Sequence, residues 1–167
     1  MVVPILKYPD LILRRKALPV EKISERIFTL VDNMVETMLR SEGVGLAANQ
    51  VGSLNRIFVL NSTPQEDTPK PIAVVNPEIL DQEGKVVEEE GCLSFPELYL
   101  KTARSEMIRI QAKNLYNETF VLDATGLLAR AIQHEIDHLN GVLIIDYVDE
   151  TEKEKVKEYL NGVVHIS

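Results

Sequence analysis

From residue 24 to 41 the apolar positions recur at helical spacing. Ile27, Leu30, Val31, Met34, Met38 and Leu39 share one face, and Gly43 stands where such a helix would end. Downstream the rhythm changes. Short apolar or alternating runs at 56–60, 72–76, 85–90, 98–103, 105–113 and 118–123 predict strands, and Arg109-Ile110-Gln111-Ala112 alternates as a half-buried strand should. Residues 61–71, polar and rich in proline, read as an exposed loop because apolar strands flank them on both sides. A second helix is predicted over 125–139, starting at Thr125 and ending before Gly141, and a charged tail helix over 151–160. The strands run together instead of alternating with helices. That order predicts an α+β fold with antiparallel sheets, not a doubly wound one.

A chain of 167 residues is expected to form one domain, 1–167, with 151–167 as a short charged tail. Neither an internal repeat nor a low-complexity linker divides it. No apolar run approaches the ~20 residues that span a bilayer, and the opening Met1-Val-Val-Pro-Ile-Leu-Lys lacks the marks of an export signal, so a cytoplasmic protein with no membrane partner is expected. Cys92 is the only cysteine, which excludes an intrachain disulfide. With 18 Lys and Arg against 26 Asp and Glu, the net charge of −8 argues against a surface built to grip nucleic acid.

Three stretches are unlike ordinary scaffold. In His134-Glu135-Ile136-Asp137-His138, helical spacing places both imidazoles one turn apart on one face. That suits two ligands of one divalent metal, with Glu135 beside the metal's water as a proton shuttle. A bland reading has the two histidines merely packed or solvated, but the chain has only three histidines and two of them flank this glutamate. In Glu90-Gly91-Cys92-Leu93-Ser94, a lone cysteine is more often a small buried hydrophobe than a ligand. Joined to the histidine pair, however, its thiolate completes a three-ligand set that leaves a tetrahedral position open, and the Leu93 N–H would face whatever sits beside the sulfur. Glycines at alternate positions of Gly43-Val44-Gly45-Leu46-Ala47-Ala48-Asn49-Gln50 allow the main chain to pair with a ligand as a strand would, and Gln50 offers an amide donor to an oxyanion.

Taken together and in this order, the runs 43–50, 90–94 and 134–138 resemble the three motifs of the peptide deformylase family at every defining position, and the resemblance extends through about residue 148. It implies a metalloenzyme that removes the formyl group from the N-terminal formyl-methionine of newly made polypeptides. The implied fold has antiparallel sheets packed around a central metal-bearing helix, with an N-terminal and a short C-terminal helix. Family roles fall on matching positions: Cys92, His134 and His138 as metal ligands, Glu135 as general acid and base, and Gln50 with the Leu93 N–H as oxyanion donors. Gly45 would pair with the substrate backbone. Val44, Leu127, Ala131 and the His134 ring would receive the methionine side chain.

The thiolate and imidazole set alone does not choose the ion. The resemblance implies Fe²⁺, one per chain, with Zn²⁺, Ni²⁺ or Co²⁺ able to substitute. Formyl-methionyl nascent peptides are then the partners. The tail mixes Lys153, Lys155 and Lys157 with acids and is shorter than the basic tail helix of some relatives, so at most a transient ribosome contact is expected. Two departures bear on the pocket: Tyr99 stands where many bacterial members have arginine, and Arg130 takes a usually apolar position, which predicts a more polar rim.

Two rival readings are distinguishable. A zinc endopeptidase of the His-Glu-x-x-His type would need a third ligand; Ile144 occupies one expected place, leaving Glu154 or Glu158. A non-catalytic metal-binding domain would explain the histidines but not the shuttle or the oxyanion donors.

Overall fold

Strand β2 (Ile57–Asn61) sets the layering, because its first four residues are all buried. Alternate side chains leave a strand on opposite faces, so Phe58 and Leu60 enter one apolar cluster while Ile57 and Val59 enter another. In this computed structural model, which describes residues 1–166 and side chains as far as Val163, that strand lies inside a five-stranded antiparallel sheet. Its order is β1 (Gly45–Ala47), β2, β3 (Pro71–Glu83), β6 (Met107–Lys113) and β7 (Thr119–Thr125). A separate two-stranded sheet pairs β4 (Val86–Cys92) with β5 (Phe95–Arg104).

Helix α1 (Glu25–Arg40) turns Ile27, Val31, Met34 and Met38 onto the Ile57/Val59 face of the sheet. Helix α2 (Gly126–Leu139) lays Ala129, Ile132, Ile136 and Leu139 on the Phe58/Leu60 face. The helix that carries the two site histidines is therefore held on its apolar side by the large sheet. Beneath the small sheet a third cluster gathers Phe95, Leu98 and Leu100 with Leu143, Ile144 and Val156, the last from α3 (Lys153–Ile166). The α+β architecture with antiparallel sheets, an N-terminal helix and a C-terminal helix agrees with the sequence pattern.

Three local features differ from the pattern. Strand β3 runs on past residue 76, where the predicted strand ends. Asn76 does take a left-handed conformation (φ 52°), but the register shift there is a bulge within a continuing ladder. Its amide holds the bulge by accepting from the Val20 N–H and donating to the Val20 carbonyl, both at 2.8 Å. At the end of α1 the left-handed residue is Glu42 (φ 56°), not Gly43. The tail helix extends past 160, because Val156, Tyr159 and Leu160 give it an apolar side packed on the third cluster.

Phe58 is fully buried at the centre of the α2–sheet layer. Phe58→Ala is expected to cost about 3–5 kcal/mol of stability, read as a lower urea midpoint with an unchanged slope. A loss below about 1 kcal/mol would show that this layer does not hold the helix.

Candidate metal centre

His134 and His138 leave α2 one above the other, ring centroids 4.8 Å apart and planes at 69°. Their Nε2 atoms are 3.1 Å apart, and the Cys92 Sγ lies 3.3 Å from His138 Nε2. Cys92 arrives from the other sheet, at the end of β4, where a register shift between Gly91 and Cys92 re-aims the strand. The three donor atoms all lie within 4.8 Å of one another. Spacings of 3.1 and 3.3 Å suit ligand atoms that share one ion through bonds of about 2.0–2.3 Å.

The protonation pattern fits a cation as well. His134 Nδ1 is 2.7 Å from Glu90 Oε2, and only an Nδ1–H can bond there, so Nε2 is the ring nitrogen turned to the cluster and available to a cation. Lone pairs and a thiol crowded together and buried repel one another unless a positive ion sits among them. The donor set therefore fits a divalent metal.

Glu90 is itself clamped. Its Oε1 accepts from Arg104 Nε at 3.1 Å and Arg130 Nη1 at 3.2 Å, and its Oε2 from Arg104 Nη2 at 2.6 Å besides His134. All four acceptor positions of the carboxylate are filled. Burial alone would raise its pKa, but the hydrogen bonds and charges of His134 and Arg104 hold it down at about 2. Arg104 Nη1 continues to Asp137 Oδ2 at 2.5 Å, which also accepts from the Tyr147 hydroxyl at 2.5 Å.

Arg130 behaves differently from the sequence expectation. It is only 7% exposed, and its guanidinium is spent on Glu90, the Thr102 carbonyl at 2.9 Å and the Val86 carbonyl at 2.8 Å. It braces the wall of the cleft and brings no free charge of its own to the rim. Tyr99, 55% exposed, does stand at the mouth, its ring over Gly91, where a Cβ would come within 2.8 Å of it.

Glu135, one residue on from His134, is buried, and burial pushes its pKa up to about 7. Its Oε1 has no partner, which marks a place for a polar guest. The carboxyl rests against Gly45, where a Cβ would fall 2.8 Å from Glu135 Cγ and Oε2. Gln50 stands on a single 3-10 turn (Ala48–Val51), with Nε2 3.8 Å from the Cys92 Sγ.

Around these groups opens a cleft of about 570 Å³. Val44, Gly45, Gln50, Cys92, Leu93, Leu127, Ala131, His134 and Glu135 line it, and His138 lies buried beneath. The residues that the three motifs singled out are thus in one place. Glu154 and Glu158 are exposed on α3 and take no part in the donor cluster. Sequence reasoning gave no role to Glu90, Arg104 or Ser94. Glu90 and Ser94 stood inside a quoted motif, but nothing in the pattern pointed across 14 residues to Arg104.

A half-buried thiol and two buried imidazoles around one point, with an unpartnered carboxyl in the same cleft, define a metal-dependent hydrolase. Relatives narrow the class. The model of the polypeptide deformylase family matches residues 2–154, and the chain belongs to that family. It is 43% identical over 153 residues to the peptide deformylase of Thermodesulfovibrio yellowstonii, covering 92% of this chain and 93% of that one. The crystal structure of a peptide deformylase from Legionella pneumophila superposes with a TM-score of 0.90 at 36% identity, covering 99% and 97% of the two chains. That of Thermotoga maritima peptide deformylase gives 0.82 at 43% identity, covering 89% and 99%.

Removing Arg130 leaves Glu90 with one guanidinium. Arg130→Met is expected to lose about 1–3 kcal/mol of stability and to release its metal to a chelator several-fold faster. Unchanged release would mean that Arg104 holds Glu90 unaided.

Proposed function

We propose that the protein removes the formyl group from the N-terminal formyl-methionine of new polypeptides, releasing formate and a free amine. The observation that carries this reading is the meeting of Cys92 Sγ with two imidazole Nε2 atoms beside the unpartnered Glu135 carboxyl. Cys92, His134 and His138 would hold the ion, Fe²⁺ by family resemblance, with Zn²⁺, Ni²⁺ or Co²⁺ able to replace it. Once bound, such an ion polarises a carbonyl and makes water acidic enough to attack at neutral pH.

The protein's own groups do the rest. Glu135 takes the proton that water loses as its oxygen bonds to the formyl carbon. It then delivers that proton to the amine nitrogen as the carbon–nitrogen bond breaks. Gln50 Nε2–H and the Leu93 N–H donate to the carbonyl oxygen as it gains negative charge. The Gly45 main chain pairs with the substrate backbone, and lacking a side chain it also leaves Glu135 its place. Val44, Leu127 and Ala131, with the His134 ring, receive the methionine side chain.

The setting follows from the substrate: nascent chains in the cytoplasm, reached by at most a transient ribosome contact. No helix among the described residues is long and apolar enough to cross a membrane. A net charge of −8 supports a reading without nucleic acid as a direct partner. We read the chain as one domain, because the small sheet and α2 are joined through Glu90.

Anaerobic purification, metal analysis and a formate-release assay on formyl-Met-Ala test the reading. One metal per chain and stoichiometric formate are expected, and cleavage of the Met–Ala bond instead would favour the peptidase. Glu135→Gln keeps shape and removes the proton acceptor, so kcat should fall by about 10² or more with metal retained. Near-normal turnover in that variant would remove Glu135 from the mechanism. Acetyl-Met-Ala should be a much poorer substrate, since the extra methyl must fit between Gly45 and Leu93; equal kcat/KM for the two would contradict an enclosed site.

A further inference from the structure

Gln50 serves as an oxyanion donor only if its amide is held the right way round, because a half-turn of the terminal bond exchanges oxygen for nitrogen. The surrounding protons fix that turn. The Ala47 N–H can only donate, and it lies 3.0 Å from Gln50 Oε1. The Ser94 hydroxyl lies 2.7 Å from the Leu6 carbonyl oxygen, which can only accept, so the single hydroxyl proton is committed there. What remains on Ser94 Oγ is lone pair, and Gln50 Nε2, 3.1 Å away, donates to it. One Nε2 proton is used in this way, while Cys92 Sγ lies 3.8 Å from the same nitrogen. The other proton faces Cys92 Sγ, at the reaction centre itself.

A reversed amide would set two oxygens together at Ser94 with no proton between them, and two N–H donors together at Ala47. Ser94 is 1% and Gln50 2% exposed, so bulk water is not present to repair the mismatch. The relay ends in the main chain of the N-terminal segment, which is pinned to both residues. Leu6 N–H donates to the Gln50 carbonyl at 2.7 Å, and Tyr8 N–H to the Ser94 carbonyl at 3.0 Å.

We infer that Ser94 is a positioning residue for the hydrolysis: with its proton anchored on the Leu6 carbonyl, it fixes the Gln50 amide and aims one N–H at the reaction centre. This rests on the oxyanion role proposed for Gln50 and adds the group that directs it. Ser94 acts through Gln50 and does not touch the substrate.

The test is a double-mutant cycle on the Ni²⁺-loaded protein with formyl-Met-Ala. Ser94→Ala should lower kcat about three- to tenfold, with KM and metal content unchanged. Gln50→Ala should lower kcat by about 10²–10³. The double variant should be no slower than Gln50→Ala, because Ser94 has nothing left to aim. A Ser94→Ala loss that persists in full on the Gln50→Ala background overturns the inference, as does a Ser94→Ala protein with full kcat. Gln50→Ala at full kcat is a different failure, that of the oxyanion reading itself, and removes the inference with it. A second measurement needs no variant: in the ¹⁵N-labelled protein the Gln50 side-chain amide protons should exchange with solvent far more slowly than those of an exposed glutamine, with one of them close to Ser94 by nuclear Overhauser contact. Exchange at the rate of an exposed amide, or amide protons in contact with the Ala47 N–H instead, would overturn a fixed amide.

Discussion

Helix α2 and the β4–β5 hairpin belong to different layers, and the Glu90 carboxylate fastens one to the other. From the hairpin side it takes two hydrogen bonds from Arg104; from the helix side it takes one each from Arg130 and His134. Arg130 and His134 are four apart, so they reach the same carboxylate from one face of the helix. Because Cys92 follows Glu90 by two residues, the contact that orients the His134 ring also sets the distance from thiol to imidazoles. Burying this many charges costs desolvation, and the cluster holds because no lone pair of Glu90 is left unpaired. Losing a partner here disturbs the donor set as well as the packing.

The histidine pair was legible because helical spacing alone brings His134 and His138 together, whatever the surroundings. Cys92 was legible only through its motif: no periodicity links it to residues more than forty positions away. The Glu90 clamp was not legible. Arg130 on an amphipathic helix reads as a solvent-facing charge or a polar rim, and only the tertiary structure shows it turned inward to a carboxylate 40 residues earlier. Among the elements, β2 and helices α1 and α2 followed from apolar rhythm. The far half of β3 did not, since residues 78–83 are exposed and follow a proline, so neither burial nor propensity marks them. Backbone pairing with β6 extends that strand where its side chains give no signal.

The cleft draws its working groups from four separated segments. α2 supplies two donors and the carboxyl, β4 the thiol, β1 and the 3-10 turn after it Gly45 and Gln50, and the N-terminal segment the carbonyl that anchors Ser94. Gly45 shows how tightly these are fitted, since a single added carbon there would occupy the space of the Glu135 carboxyl. A site assembled across layers in this way depends on the core beneath it. The Phe58/Leu60 face of the sheet and the buried side of α2 fix where both histidines stand.

X-ray absorption at the metal edge of the anaerobically purified protein tests the central claim most directly. One sulfur and two imidazole nitrogens bound to a single ion, with the sulfur signal lost in Cys92→Ser, is the result the structure predicts. An ion bound by nitrogen and oxygen alone would contradict it, because Cys92 would then stand beside the metal without holding it.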